Sequence, residues 1–163
     1  MNTSIREYTD KDKPELVRCM EALQDFEIGI DNLKRKRRLL GFGKDKTNKL
    51  LKRIAKKQGK IFLAIDGKSI CGCVAGAIEK QTKEDLLKNI PSRVGWILEL
   101  YIDEAYRNHG IGRQLIQRME KYFKTKRCTL LYINVMTENN NAHGMYKHLG
   151  YADRYIQMIK QIT

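Results

Sequence analysis

The sequence predicts an α/β fold with a mixed sheet flanked by helices. Four segments carry apolar residues at helical spacing, β-rich runs separate them, and strands alternate with helices in the second half of the chain. The 163 residues, of which 42% are apolar, suit one globular domain. No uncharged stretch exceeds ten residues. A membrane-spanning helix needs about 20 apolar residues, so we expect none.

The first half of the chain is predicted to contain one strand, two helices and a β-hairpin. Apolar residues at helical spacing define the first helix, and Pro14 suits its first turn. The run Gly41-Phe42-Gly43 breaks the chain before a second helix, which is apolar on one side and basic on the other. Asp66-Gly67 between two β-rich runs is a strong two-residue turn signal. These elements are the strand Ile5–Tyr8, the helix Pro14–Ile28, a helix from Thr47 or Asn48, and the strands Ile61–Ile65 and Ser69–Ile78.

The second half is predicted to alternate strands with helices after a short helix or loop at Glu84–Asn89. Gly95–Asp103 is almost continuously apolar, which indicates a strand buried on both faces. Asn139 or Asn140 can cap the last helix, and Gly150 stands where a helix C-terminal glycine is expected. The elements are the strand Gly95–Asp103, the loop Tyr106–Gly112, a helix from Ile111 to about Lys126, the buried strand Thr129–Met136, a helix from Asn139 or Asn140, and a closing strand Tyr151–Ile162.

The net charge of +13 comes almost entirely from one segment, residues 34–60. It holds thirteen Lys or Arg residues and one acidic residue, Asp45, whereas the rest of the chain is nearly neutral. Such a surface raises the local concentration of anionic partners. Alternatives are a solvated helix face without a ligand, docking on nucleic acid, and, as a weaker option, membrane-surface docking by Asn48–Gln58, which lacks an aromatic anchor.

The four cysteines are expected to be reduced thiols in a cytoplasmic protein. Residues 1–20 are charged throughout and contain no apolar signal-peptide core. Cys71 and Cys73 are two residues apart in a strand, so we expect them on one face. The three histidines offer no second ligand pair at a matched spacing, so no metal site is predicted. The remaining cysteines are Cys19 and Cys128.

The stretch Glu99–Arg113 has the features of an anion site. A buried strand leads into a loop with Gly110 and Gly112, and this loop opens a helix. The unpaired N–H groups of a helix N-terminus and the helix dipole attract anions, and glycines allow close approach. Arg107 and Arg113 add positive charge. An ordinary strand–helix turn is the alternative.

Two motifs resemble those of the GNAT superfamily of N-acetyltransferases. Residues 107–112, Arg-Asn-His-Gly-Ile-Gly, resemble its pyrophosphate signature R/Q-x-x-G-x-G/A. Residues 139–151 resemble its second signature, N-x-x-A-x-x-x-Y-x-x-x-G-F/Y. The chain is therefore identified as a member over essentially its whole length. The resemblance implies one N-acetyltransferase domain, residues 1–163, with a mostly antiparallel sheet, a cleft between two splayed central strands, and 34–60 as a basic helical segment.

The resemblance also implies transfer of an acetyl group from acetyl-CoA, the cosubstrate, directly to a primary amine. The CoA pyrophosphate would lie on backbone amides of Asn108–Arg113, and the pantetheine arm would pair with Leu100-Tyr101-Ile102. A backbone N–H near Tyr101–Ile102 would polarise the thioester carbonyl. The residues assigned to CoA in this way are Leu100, Tyr101, Ile102, Arg107, Asn108, His109, Gly110, Ile111, Gly112, Arg113 and Asn139.

The resemblance assigns the general acid to Tyr146, although this residue also fits a core stripe of its helix. Some family members carry a glutamate base on the strand after the glycine-loop helix, but that position is Asn134 here, and an amide is not a base. Glu99 is the nearest alternative, because it is the only acid in the apolar run Trp96–Ile102. It is equally a candidate base and a structural hydrogen-bond acceptor. Asn139 is likewise a candidate CoA contact or a plain helix cap.

The acceptor is expected to be an amine of a small molecule or protein, carried by an acidic or phosphorylated partner because residues 34–60 are basic. A polycation is disfavoured as acceptor. The alternative function is a non-catalytic protein that binds RNA or ribosomes and keeps the acetyltransferase fold; Phe42 is the only aromatic residue in the basic segment, which makes base stacking poor. The resemblance also implies a possible homodimer.

Overall fold

The computed structural model describes residues 3–162 and contains a five-stranded sheet in the order β1-β2-β3-β4-β5. All neighbouring strands are antiparallel except β4 and β5, which are parallel. The predicted mixed α/β fold with a mostly antiparallel sheet is confirmed. The elements are β1 Thr3–Glu7, α1 Lys13–Ile30, α2 Phe42–Lys56, β2 Lys60–Asp66, β3 Ser69–Glu79, α3 Lys83–Lys88, β4 Val94–Ile102, α4 Ile111–Thr125, β5 Leu130–Ile133 and α5 Asn140–His148, with short 3₁₀ turns at Asp10–Asp12 and Glu104–Tyr106.

Helices cover both faces of the sheet and form two cores. On one face α1 and α2 bury residues such as Leu16, Met20 and Leu50 against the strands. On the other, α4 buries one stripe of side chains, which are Ile111, Leu115, Ile116, Met119 and Phe123. The Phe123 ring lies so close to the sheet that a Cβ at Gly76 or Gly95 would come within 2.8 Å of it. None of the described helices is long and apolar enough to cross a membrane.

A β-bulge in β4 opens the cleft between β4 and β5. Ala75 lies opposite Glu99 and Gly76 lies opposite Ile97, so Leu98 is the extra residue in the ladder. The pairing of β4 with β5 stops at Ile97. Within residues 3–162, the rest of β4 therefore has a strand neighbour on one side alone. The predicted splay is confirmed between β4 and β5, although β5 is the edge strand of the described sheet and not a central one.

The second helix begins earlier than predicted. It starts at Phe42 rather than at Thr47 or Asn48, and Gly41, with φ +83°, is the residue before it. Gly43 is inside the helix, and a Cβ there would clash with the Glu21 side chain of α1. This glycine therefore permits close packing of α2 on α1, a tertiary role that the local sequence does not reveal.

The predicted closing strand Tyr151–Ile162 is wrong. Residues 151–162 have no regular secondary structure, and their apolar side chains are largely exposed, because no neighbouring strand pairs with them in the described chain. The predicted buried strand Thr129–Met136 is also shorter, with four residues in β5 that are at best half-buried. The outer edge of β5 has no partner strand among residues 3–162.

Cys71 and Cys73 lie on opposite faces of β3, not on one face. Ala64 pairs with Gly72 and Ile65 pairs with Ile70, so Cys71 is the extra residue of a second bulge. Cys71 joins the α4-side core, whereas Cys73 joins the α1-side core. All four cysteines are free thiols.

Candidate active site

The glycine loop after β4 presents backbone N–H groups at the start of α4. Gly110 precedes the helix with φ +77°, and a Cβ there would meet no atom within 4 Å. Glycine is therefore required by the backbone conformation and not by crowding. The first bond into the helix runs from Gln114 N–H to Gly110 O at 3.0 Å, so the N–H groups of the first turn have no intrahelical acceptor. Together with the helix dipole, these donors form the geometry of an anion site.

The Arg107 side chain packs against the protein beside this loop and does not extend into solvent. Its Nε donates to Ile102 O at 3.1 Å, and its guanidinium lies 4.6 Å from the ring centre of Phe26 in α1. The exposed His109 places Nδ1 2.7 Å from Arg107 O. Arg113 is exposed in the first turn of α4. Of the two arginines predicted to add charge at the loop, Arg113 is thus the one whose side chain faces solvent.

The open edge of β4 exposes the backbone groups of two predicted CoA-binding residues. Asp103 N–H donates to Cys71 O at 2.9 Å. Because backbone groups of successive strand residues point to opposite sides, this bond shows which residues of β4 direct their N–H and C=O towards β3. Tyr101 therefore directs its N–H and C=O towards β3, whereas Leu100 and Ile102 direct theirs towards the cleft. Of these outward groups, the Ile102 carbonyl already accepts the hydrogen bond from Arg107 Nε. The thioester-polarising N–H expected near Tyr101–Ile102 can come from Ile102 but not from Tyr101. The Tyr101 side chain is buried, and burial raises its pKa to about 12.

Glu99 places its carboxyl group, which is largely but not fully buried, on the α1/α2 side of the sheet. Its side chain is 12% exposed, and Lys46 Nζ of α2 lies 2.6 Å from its Oε1. Burial raises the pKa of Glu99 above its ordinary value, and the neighbouring Lys46 charge opposes this shift without cancelling it. Glu27 of α1 adds to the increase and Arg53 of α2 reduces it. A carboxyl group with a raised pKa is suited to take a proton near neutral pH.

Tyr146 lies on the opposite side of the sheet from Glu99, in the α4-side core. It is 6% exposed, and burial raises the pKa of its hydroxyl, so this group stays protonated at neutral pH. Its ring centre lies 6.0 Å from that of Tyr151. The open edge of β4 runs between the two faces, so a group bound there could meet Glu99 from one side and Tyr146 from the other.

Asn139 and Asn134 differ in what they contribute. Asn139 caps α5, and its Oδ1 accepts from Ala142 N–H at 3.2 Å. The structure thus supports its role as a helix cap, and a CoA contact stays a prediction. Asn134 follows β5 and is exposed.

Two residues beside the cleft were not singled out by the sequence. Lys46 contacts Glu99 across 53 positions of the chain, and no local motif indicates it. Arg18 of α1 forms two hydrogen bonds to Asp103, at 2.7 and 3.1 Å, and one to Ile70 O at 2.8 Å. These bonds hold the end of β4 where the glycine loop begins. Long-range ion pairs of this kind carry no sequence signal.

Residues 17–151 match the family model of the GNAT acetyltransferases, so the protein belongs to the GNAT acetyltransferase family. Among curated relatives, it is 27% identical over 97 residues to N-alpha-acetyltransferase 60 of Danio rerio, covering 53% of this chain and 40% of that protein. It is 32% identical over 82 residues to an uncharacterized N-acetyltransferase of Methanocaldococcus jannaschii, covering 47% and 36%. Each match therefore spans less than half of the relative.

Solved structures share the fold at low sequence identity. A mutant of a Bacillus halodurans protein superposes with a TM-score of 0.84 at 18% identity, covering 98% of this chain and 99% of that one. Glucosamine-6-phosphate N-acetyltransferase from Arabidopsis thaliana superposes with a TM-score of 0.68 at 15% identity, covering 100% of both chains. At these identities the likeness concerns the fold alone.

Proposed function

We propose that the protein transfers an acetyl group from acetyl-CoA directly to a primary amine, acting as one N-acetyltransferase domain. The observation that carries this proposal is the glycine loop at the N-terminus of α4, which opens onto the free edge of β4. Uncapped N–H groups suit a pyrophosphate, and the outward N–H and C=O groups of Leu100, with the N–H of Ile102, suit an extended amide-containing arm. The residues present therefore fit the cosubstrate.

In this proposal Glu99 accepts a proton from the acceptor ammonium, directly or through a water molecule. The neutral amine then attacks the thioester carbonyl, the carbon–sulfur bond breaks, and Tyr146 donates a proton to the departing thiolate. Tyr146 regains a proton from the second N–H that amide formation releases. The raised pKa of Glu99 and the protonated Tyr146 support these roles. Ile102 N–H would hydrogen-bond the thioester carbonyl.

The released thiol provides the assay. Purified protein, acetyl-CoA and a panel of amines should release free CoA thiol at a rate that depends on the amine. The function is refuted if no amine in a broad panel raises thiol release above the rate of the folded protein without acceptor.

We also propose that the acceptor amine is carried by an acidic or phosphorylated partner. Seven of the thirteen basic residues in 34–60 form ion pairs with carboxylates. The other six have no ion pair with a carboxylate within residues 3–162 and are available to attract anions; they are Lys34, Arg35, Arg37, Lys44, Lys52 and Lys56. Acetylation of phosphorylated amines should therefore exceed that of polyamines and fall as salt increases. A panel in which polyamines are the best acceptors would contradict this.

The edge of β5, which has no partner strand within residues 3–162, and the exposed residues 152–162 support a homodimer as a further proposal. Unpaired strand edges favour pairing with another chain. Light scattering of the full chain and of a chain ending at Ala152 tests this. A monomeric full chain at micromolar concentration would contradict it.

A further inference from the structure

Lys46 already occupies the place that the proposed reaction requires of an acceptor amine. A general base must lie within about 2.6–3.2 Å of the group whose proton it takes. Lys46 Nζ lies 2.6 Å from Glu99 Oε1. The lysine side chain is 40% exposed and the glutamate side chain 12%, so the pair is partly open to solvent and not deep in the core.

The position of Lys46 is set by the packing of α2. The next residue, Thr47, is fully buried, and Leu50 one turn later packs into the α1-side core. Gly43 fixes the close approach of α2 to α1. Arg53, the other nearby cation on α2, is bound to Glu79 at 2.9 Å. Among the described residues, Lys46 is the basic group that forms an ion pair with Glu99.

We propose that the protein acetylates its own Lys46, using acetyl-CoA as the donor. This inference rests on the proposed function. Glu99 takes one proton from the Lys46 ammonium and later releases it to solvent. The Nζ–acetyl bond forms as the carbon–sulfur bond breaks. Tyr146 gives its proton to the thiolate and regains one from the second proton that amide formation releases.

Acetylation would change the site as well as the lysine. It removes the positive charge of Lys46 and ends its ion pair with Glu99. The carboxylate is then available to the ammonium group of an external acceptor. Among the described residues, the other titratable groups close enough to influence or be influenced by the charge of Glu99 include Arg53 on α2, Glu27 on α1 and Cys73 on β3.

The experiment incubates the full chain with acetyl-CoA and follows intact mass, with peptide mapping of the product. We expect the mass of one acetyl group per chain, located on Lys46. Lys49 is the matched control, because it is on the same helix and has a carboxylate partner, Asp45, at 2.7 Å, but is 74% exposed. Glu99→Gln should slow acetylation of Lys46 by about 10²- to 10⁴-fold and leave that of Lys49 unchanged.

Two further variants test the acceptor lysine and the proton donor separately. Lys46→Arg keeps a positive charge beside Glu99 and should abolish the added acetyl group while acetyl-CoA still binds. Tyr146→Phe should slow the modification of Lys46 and leave the circular dichroism spectrum of the folded protein unchanged. This variant therefore still tests the inference if Glu99→Gln fails to fold.

The outcomes separate this inference from the proposed function. If acetyl-CoA binds and external amines are acetylated but Lys46 stays unmodified, self-acetylation is refuted and the function stands. If Lys46 is modified no faster than Lys49, and equally fast in Glu99→Gln, the modification is chemical background and the inference is also refuted. If acetyl-CoA does not bind at all, both fail.

Discussion

Replacing Tyr146 with Phe isolates the proton donation that we assign to its hydroxyl. Tyr146 is 6% exposed in the α4-side core, and burial raises the pKa of its hydroxyl. Within residues 3–162, no charged group or hydrogen-bond partner is therefore lost with the hydroxyl. Phe keeps the packing. We therefore expect the free energy of unfolding to change by less than about 1.5 kcal/mol and the melting temperature by less than about 6 °C.

Turnover should fall much further than stability. General acid catalysis typically contributes about 10²–10⁴-fold, which corresponds to about 3–5 kcal/mol of transition-state stabilisation. The assay is thiol release at saturating acetyl-CoA, together with calorimetric binding of acetyl-CoA to both proteins. We expect kcat to fall and the dissociation constant of acetyl-CoA to stay the same.

Tyr122→Phe is the matched control. Its hydroxyl donates to Gln58 O at 2.8 Å, near the C-terminal end of α4 and away from the glycine loop, so its loss should leave turnover unchanged. Unchanged kcat in Tyr146→Phe would refute the acid assignment. An equal loss in both variants would indicate a general effect on the fold.

Three further predictions concern the base, the core and acid stability. Glu99→Gln should lose most activity at a pH above the raised pKa of Glu99 and below that of the acceptor amine; a loss that is equal at every pH would contradict the base. Gly95→Ala should lower the free energy of unfolding, measured with urea, by about 1–3 kcal/mol, because the new Cβ would lie 2.7 Å from Leu131 Cδ2. An unchanged free energy of unfolding would contradict this packing. The Arg6 guanidinium holds the pKa of Asp12 well below its usual range. The ion pair therefore stabilises the folded protein fully above about pH 4, and this stabilisation is lost as pH falls. Asp12→Asn should therefore destabilise strongly at pH 7 and less at pH 3, and equal effects at both would contradict the ion pair.

The sequence predicted the parts of the site that depend on local chemistry. A glycine that tolerates positive φ, an asparagine cap and a buried apolar strand each have short-range signals, and Gly110, Asn139 and β4 lie where these signals indicate. The splayed cleft was expected from the family resemblance, and its cause, the bulge at Leu98, is visible only in the strand register.

The features that the sequence missed depend on tertiary contacts. Alternation predicts one face for Cys71 and Cys73, but a bulge reverses the direction of every residue beyond it. The contact between Lys46 and Glu99 joins two distant segments, and Arg107 turns towards Phe26 because α1 packs beside the loop. Residues 151–162 have β propensity, but a strand also needs a neighbour with which to pair.

Binding of acetyl-CoA at the glycine loop is the central claim, and isothermal titration without acceptor tests it most directly. We predict about one equivalent bound by the unmodified chain and much weaker binding to Gly110→Leu. Gly67→Leu is the matched control, because Gly67 also has positive φ, +60°, and also has open space around a Cβ, but lies in the β2–β3 hairpin. Both variants bear a similar backbone strain of about 1–2 kcal/mol.

Comparing the Gly110 and Gly67 variants separates a local effect on acetyl-CoA binding from a general effect of backbone strain. The account predicts that Gly67→Leu binds acetyl-CoA like the unmodified chain and that Gly110→Leu does not. No binding to the folded, unmodified chain would contradict the central claim, and steeply salt-dependent RNA binding by the same protein would then favour the non-catalytic alternative. Equal binding to all three proteins would contradict the location of the site at Gly110.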